Sequence, residues 1–296
     1  MDTERRLSSP FRLSNLYNPM DFTLLFQSIL LGIVQGLTEF LPVSSTAHLI
    51  IVPRLFGWTF DPRFTFSFDI LIQWGTLISV LVYFWRDLFT IVRAALAGLI
   101  NRQPFAASEA RLGWLIVIAT LPAVVVGLLF KGFFESLHQQ PVIIALVLIV
   151  FSAMIYAVER MGRRGRGLET LTWRDALIIG GAQAVALIPG VSRSGATITG
   201  GLFVGLERRA AARFSFIASI PALLGAGVLA LKDLFEQPDF VSFLPSLVVG
   251  TLAAAVVGFV CIHWLLGFIA KRTMDVFVWY RVIAGVVILA VLFWRG

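Results

Sequence analysis

The chain has 296 residues, 58% of them hydrophobic and 14% charged, with a formal net charge of +7 and a mean hydropathy of +0.88. Soluble domains average about 25% charged residues, so this composition excludes a water-soluble enzyme and points to the bilayer as solvent. The basic residues fall in the gaps between apolar runs rather than on an arm interleaved with aromatics. That pattern argues against nucleic acid as a partner and for membrane orientation and lipid contact.

Residues 1–21 are polar, carry both signs and are followed by no A-x-A-like cleavage site. They read as a polar N-terminal extension with amphipathic character around Phe11 to Tyr17, not as a signal peptide. Residues 22–296 read as a single integral membrane domain. Apolar runs follow at about 22–41, 66–85, 112–130, 141–158, 175–188, 196–206, 213–231, 244–269 and 276–294. A full crossing takes about 20 residues. The runs 175–188 and 196–206 are too short, and a Pro-Gly loop separates them. The run 22–41 is broken by Pro42 and a polar patch before a short apolar piece ending near Trp58. Interrupted segments of this kind predict re-entrant helix pairs that meet at mid-membrane.

Charge predicts the topology. Arg86, Arg93, Arg102 and Arg111 share one connection, and Arg160, Arg163, Arg164, Arg166 and Arg174 a second. Arg208, Arg209 and Arg213 form a third group, Lys271 and Arg272 a fourth. The positive-inside rule places all four on the cytoplasmic side and loops 131–140 and 232–243 outside. The expectation is an all-α polytopic membrane protein with about six full transmembrane helices plus two oppositely oriented re-entrant helix pairs. An offset of 148 aligns Gln35 with Gln183, Val43 with Val191, Ser44 with Ser192 and Thr46 with Ser194. This predicts an inverted repeat with halves at about 22–158 and 175–294 and a site at their interface.

The two broken segments carry the chemistry. QGLTEFLPVSSTAH runs from Gln35 to His48, and QAVALIPGVSRSGAT from Gln183 to Thr197. A charged side chain at membrane depth costs about 3 kcal/mol or more unless it is paired or lines a wet cavity. In the second segment Gly190, Ser192, Ser194 and Gly195 surround Arg193, before a helix expected to start near Ala196. Glycines let backbone N–H groups approach an anion, and a guanidinium fork suits phosphate oxygens. The bland alternative, a Gly/Ser packing break, leaves the arginine unexplained. The first segment supplies Glu39 as acid, base or metal ligand, His48 as a proton carrier, and Ser44, Ser45 and Thr46 between them. Gln35 lies one turn before Glu39 and shares its face. Thr38 reads as a hydroxyl bonding its own helix, Cys261 as packing and His138 as a solvated loop residue. His263 reads as a bundle residue, Gln73 either as a polar group able to reach the site or as a structural one, and Arg281 as an interfacial anchor.

EFLPVSSTAHL together with PGVSRSGATI resembles the two signature segments of the bacterial undecaprenyl-diphosphate phosphatases, the bacitracin-resistance family. The likeness extends from about Asp21 to Arg295, including FWR at 84–86 and YRVIAG near the end. It implies hydrolysis of a C55 polyprenyl diphosphate lipid, a divalent cation (Mg or Ca) and an outward-facing site in the cell inner membrane. It places the family's acidic pair on Gln35 and Glu39, the first of which is often glutamate. The hydroxyl-histidine patch falls on Ser44, Ser45, Thr46 and His48, where Ala47 replaces a usual glycine; the arginine loop falls on Ser192, Arg193 and Ser194. The implied scheme has Arg193 and the N–H groups around Ser194 and Gly195 holding the diphosphate, and a metal at Glu39. Ser45 or water attacks the terminal phosphorus with His48 as proton acceptor, and Ser45, His48 and water all remain open as nucleophile. Membrane lipids and a homo-oligomer are the other partners expected. Three rival readings are a transporter or lipid-carrier flippase, a lipid phosphatase of the soluble-acid-phosphatase type and a structural membrane subunit. The second lacks the histidine it needs between Ser194 and Glu207.

Overall fold

The computed structural model describes residues 22–138, 140–161, 165–236 and 240–295. The expected N-terminal extension, Arg163 and Arg164 lie outside them. Among the described residues the chain forms twelve α-helices, one short 3-10 turn and no named strand. They are α1 (Phe22–Phe40), α2 (Ser45–Phe56), α3 (Pro62–Tyr83), α4 (Trp85–Ile100), α5 (Ser108–Leu129) and α6 (Lys131–His138). The second set is α7 (Pro141–Arg160), α8 (Trp173–Val185), α9 (Arg193–Phe203), α10 (Arg208–Phe235), α11 (Phe240–Ile269) and α12 (Asp275–Arg295). Seven of these, α1, α3, α5, α7, α10, α11 and α12, are long and apolar enough to cross a bilayer. The protein is an all-α, multi-pass membrane protein. Its outer surface carries Leu129, Val150 and Ile283 exposed, a distribution that lipid makes favourable and water would not.

The one spanning-length helix beyond the six expected is α1, whose 19 residues suffice by length. Helices α4 and α6 fill stretches read as connections. Hydropathy runs detect spanning segments, whereas α4 leaves Phe89, Val92 and Leu96 exposed and buries only Ile91.

Packing exchanges elements between the two halves of the chain. Helix α1 lies along α11, and α3 packs on the same helix; α8 lies along α5, and α10 packs on α5. Helix α3 meets α10, and α7 meets α12. Small residues allow these approaches. A Cβ on Gly36 of α1 would stand 2.8 Å from the carbonyl of Ala254 in α11, and one on Gly180 of α8 2.6 Å from that of Ala119 in α5. The 148-residue offset is visible in the backbone as well. Ser44 (φ 73°) and Ser192 (φ 78°) sit at the N-caps of α2 and α9, in a region that side chains rarely occupy. Strain of this kind, about 1–3 kcal/mol per residue, persists where surrounding contacts enforce it and clusters at functional sites.

Candidate active site

The breaks after α1 and after α8 bring two turns against one another. Proline 42 has no N–H to continue α1, and the chain reverses through a Val43 N–H bond to the Leu41 carbonyl at 2.7 Å. In the second turn Gly190 adopts φ 97° and lies so close to α7 that a Cβ would stand 2.6 Å from the Ile144 carbonyl. Only glycine meets both conditions. The Ser194 hydroxyl donates to the Leu41 carbonyl at 3.0 Å and joins the turns directly.

At that junction Arg193 Nη2 donates to Glu39 Oε1 at 2.8 Å, across 154 positions of sequence. Ser45 Oγ donates to Glu39 Oε2 at 2.9 Å, and Gln35 Nε2 donates to the same oxygen at 3.1 Å. The carboxylate and guanidinium side chains are 9% and 15% exposed, so water screens the pair little and their attraction is strong. Two polar atoms beside them have no partner: Arg193 Nη1 and Gln35 Oε1. A buried donor or acceptor left unsatisfied costs about 1–3 kcal/mol, more when charged. An anion at Nη1 removes that penalty.

Several expected site residues have other tasks. Helix α9 starts at Arg193, three residues earlier than expected, because Ser192 caps it by accepting the Gly195 N–H at 3.1 Å. That N–H is therefore engaged by the cap, and Ser192 and Ser194 also bond one another at 3.2 Å. Ser44 is buried, makes no side-chain capping bond, and its carbonyl accepts the ring Nδ1–H of His48 at 2.7 Å. A carbonyl can only accept, so Nδ1 carries a hydrogen and in the neutral ring Nε2 is the acceptor; Nε2 meets the Tyr280 hydroxyl at 2.6 Å under a stacked Tyr280 ring. His48 thus bonds Ser44 and Tyr280 rather than Ser45, whose hydroxyl donates its hydrogen bond to Glu39 instead. Thr46 is half-buried and makes no side-chain hydrogen bond to the cluster.

Arg281 is the residue sequence reasoning missed. Instead of anchoring at an interface it is wholly buried, bonded to the backbone of both turns and to α7. The signal was present: an arginine inside an uninterrupted apolar run has to find internal partners. Gln73 is exposed on α3 and does not reach the cluster. Gln183 bonds the Ala119 carbonyl at 3.3 Å, gluing α8 to α5. His138 is exposed, and its Nδ1 bonds the Phe134 carbonyl at 2.8 Å; His263 pairs with the Tyr83 hydroxyl at 3.3 Å. Thr38 donates to the Val34 carbonyl of its own helix at 2.6 Å, as anticipated; Cys261 is buried in the packing, as expected, and also donates to the Leu37 carbonyl at 3.3 Å.

Among the described residues no three His, Cys, Asp or Glu side chains gather as a metal cage. The hard oxygen donors at this junction are the Glu39 carboxylate and the Ser45 hydroxyl, with the unpartnered Gln35 Oε1 on the turn before Glu39. Oxygen donors of this kind are the type that hard divalent cations take.

The chain matches the family model described as bacitracin resistance protein BacA over residues 28–287. It is 46% identical to an undecaprenyl-diphosphatase of Chlorobium phaeovibrioides, over 90% of this chain and 97% of that one. An undecaprenyl-diphosphatase of Myxococcus xanthus is 48% identical over 90% of this chain and 89% of its own length. One of Mycobacterium ulcerans is 46% identical over 90% and 96%. With a family match over residues 28–287, across both broken segments, the chain belongs to the BacA family.

Proposed function

We propose that this protein hydrolyses undecaprenyl diphosphate to undecaprenyl phosphate and inorganic phosphate, returning the lipid carrier to cell-wall synthesis and conferring bacitracin resistance. The observation that carries the reading is the unpartnered Arg193 Nη1 beside a serine hydroxyl already bonded to a carboxylate. Arg193 binds an oxygen of the terminal phosphoryl group through Nη1 while Nη2 keeps Glu39 in place. Glu39 Oε2 takes the Ser45 proton as Oγ bonds to the terminal phosphorus and the bridging P–O bond breaks. The leaving lipid phosphate takes that proton from Glu39, which is ionised again. The same carboxylate then accepts a proton from water as the water oxygen bonds to phosphorus, and passes it to Ser45 Oγ as the Oγ–P bond breaks and inorganic phosphate leaves. His48 and Tyr280 orient the start of α2. Glu39 and Gln35 are the residues that would hold a divalent cation, which would supply neutralisation of phosphate charge.

The prenyl chain lies in lipid between helices while its headgroup enters where the turns meet. Leu148 and Ser152, the contacts of Arg281 on α7, stand near the middle of that 20-residue helix. This supports turns that meet at mid-membrane, in hairpins inserted from opposite sides. The arginine and lysine clusters support a bacterial cytoplasmic membrane with the site open outward.

Purified protein in detergent tests the reading, because hydrolysis needs no second compartment and transport does. Phosphate is expected from undecaprenyl diphosphate, with Ser45→Ala lowering kcat about 10³-fold. Chelation is expected to lower turnover more than about tenfold, and added Mg²⁺ or Ca²⁺ to restore it. Absence of phosphate release, or an active Ser45→Ala variant, contradicts the scheme.

A further inference from the structure

Arg281 is 0% exposed, and no carboxylate stands among its hydrogen-bond partners in the described residues. A buried cation without a counter-charge is among the costliest groups a membrane bundle can hold. Its partners explain its presence. Nη1 donates to the Pro42 carbonyl at 3.2 Å, in the turn between α1 and α2. Nη2 donates at 2.9 Å to the Gly190 carbonyl, in the turn between α8 and α9, and at 3.3 Å to the Leu148 carbonyl of α7. Nε donates at 3.1 Å to the Ser152 hydroxyl, also on α7. Carbonyls in turns lie outside a helical ladder and need such donors. One rigid planar fork therefore fixes both turns against a third, straight element.

Glu39 lies three residues before Pro42, and Arg193 three after Gly190. Their 2.8 Å contact consequently depends on the separation of the two turns. We infer that Arg281 is the positioning residue that sets the register of Glu39 against Arg193, acting through the Pro42 and Gly190 carbonyls. It bonds neither Glu39, Ser45 nor Arg193. Catalytic groups displaced by about 1 Å lose on the order of 10²-fold in rate.

The test uses Arg281→Met and Arg281→Lys in the full chain in detergent, read first by hydrogen exchange. The reporters are the amides of Val43 and Val191, bonded at 2.7 and 3.2 Å to the Leu41 and Ile188 carbonyls. In Arg281→Met both are expected to exchange roughly tenfold faster or more, together, while α3 and α11 keep their protection. Arg281→Lys is expected to lie between, at least about threefold faster than the parent, since one ammonium cannot span acceptors on three elements. The kinetic arm, which rests on the phosphatase reading, expects kcat per folded molecule to fall about 10²-fold with KM within about threefold. Parental exchange in both turns, loosening of one turn only, or a uniform rise across all helices overturns the inference. Should Arg281→Met not fold, Arg281→Lys decides on the same criteria. The exchange arm reads out whether or not the protein releases phosphate, so the two readings fail separately.

Discussion

Replacing Glu39 with glutamine is expected to lower kcat for phosphate release about 10³-fold while the protein stays folded. The carboxylate has two jobs, accepting the Ser45 proton at 2.9 Å and holding Arg193 at 2.8 Å. Glutamine keeps an acceptor for Arg193 and nearly the same volume, so folding is affected little. It has no basicity, so the serine proton has nowhere to go. Alanine would also remove the partner of a guanidinium only 15% exposed, and breaking a buried pair costs about 3–5 kcal/mol. The glutamine variant therefore isolates chemistry from stability, and purified yield together with kcat is the measurement. A glutamine variant with parental kcat would remove Glu39 from proton transfer.

Arg193→Ala is expected to lower kcat/KM about 10³-fold, through loss of both phosphate binding and charge stabilisation as the bridging bond breaks. The unpartnered Nη1 is the binding half of that effect, and the Nη2 bond to Glu39 the orienting half. Lysine at this position keeps the charge but offers one point where the arginine serves two directions at once. Arg193→Lys should therefore remain about 10²-fold below the parent, and steady-state phosphate release measures both. Full rescue by lysine would mean that only net charge matters there.

Much of this arrangement was readable from residues because membranes make polar groups expensive. Glu39 and Arg193 stood out for that reason alone, and the 148-residue offset placed their segments in corresponding positions. Ser44 and Ser192, which that offset pairs, share one unusual backbone conformation. What composition and spacing could not supply was direction. Spacing put His48 near Ser45, but the helix turns its ring back onto the Ser44 carbonyl and toward Tyr280, a residue 232 positions away. The glycines around Arg193 suggested open N–H groups, yet the Gly195 amide is capped by Ser192. Arg281 reads as an anchor because aromatic neighbours near a helix end are the usual mark of an interface. Its burial depends on α7 and both turns converging from distant parts of the chain.

Whether the two turns build one working unit is measured most directly by a double-mutant cycle on phosphate release, with Glu39→Gln, Arg193→Ala and the double variant. Residues that act together lose activity non-additively. The expected result is a double variant no slower than the worse of the two single variants, within about threefold. Losses that multiply, each substitution lowering kcat by the same factor in either background, would contradict a shared site.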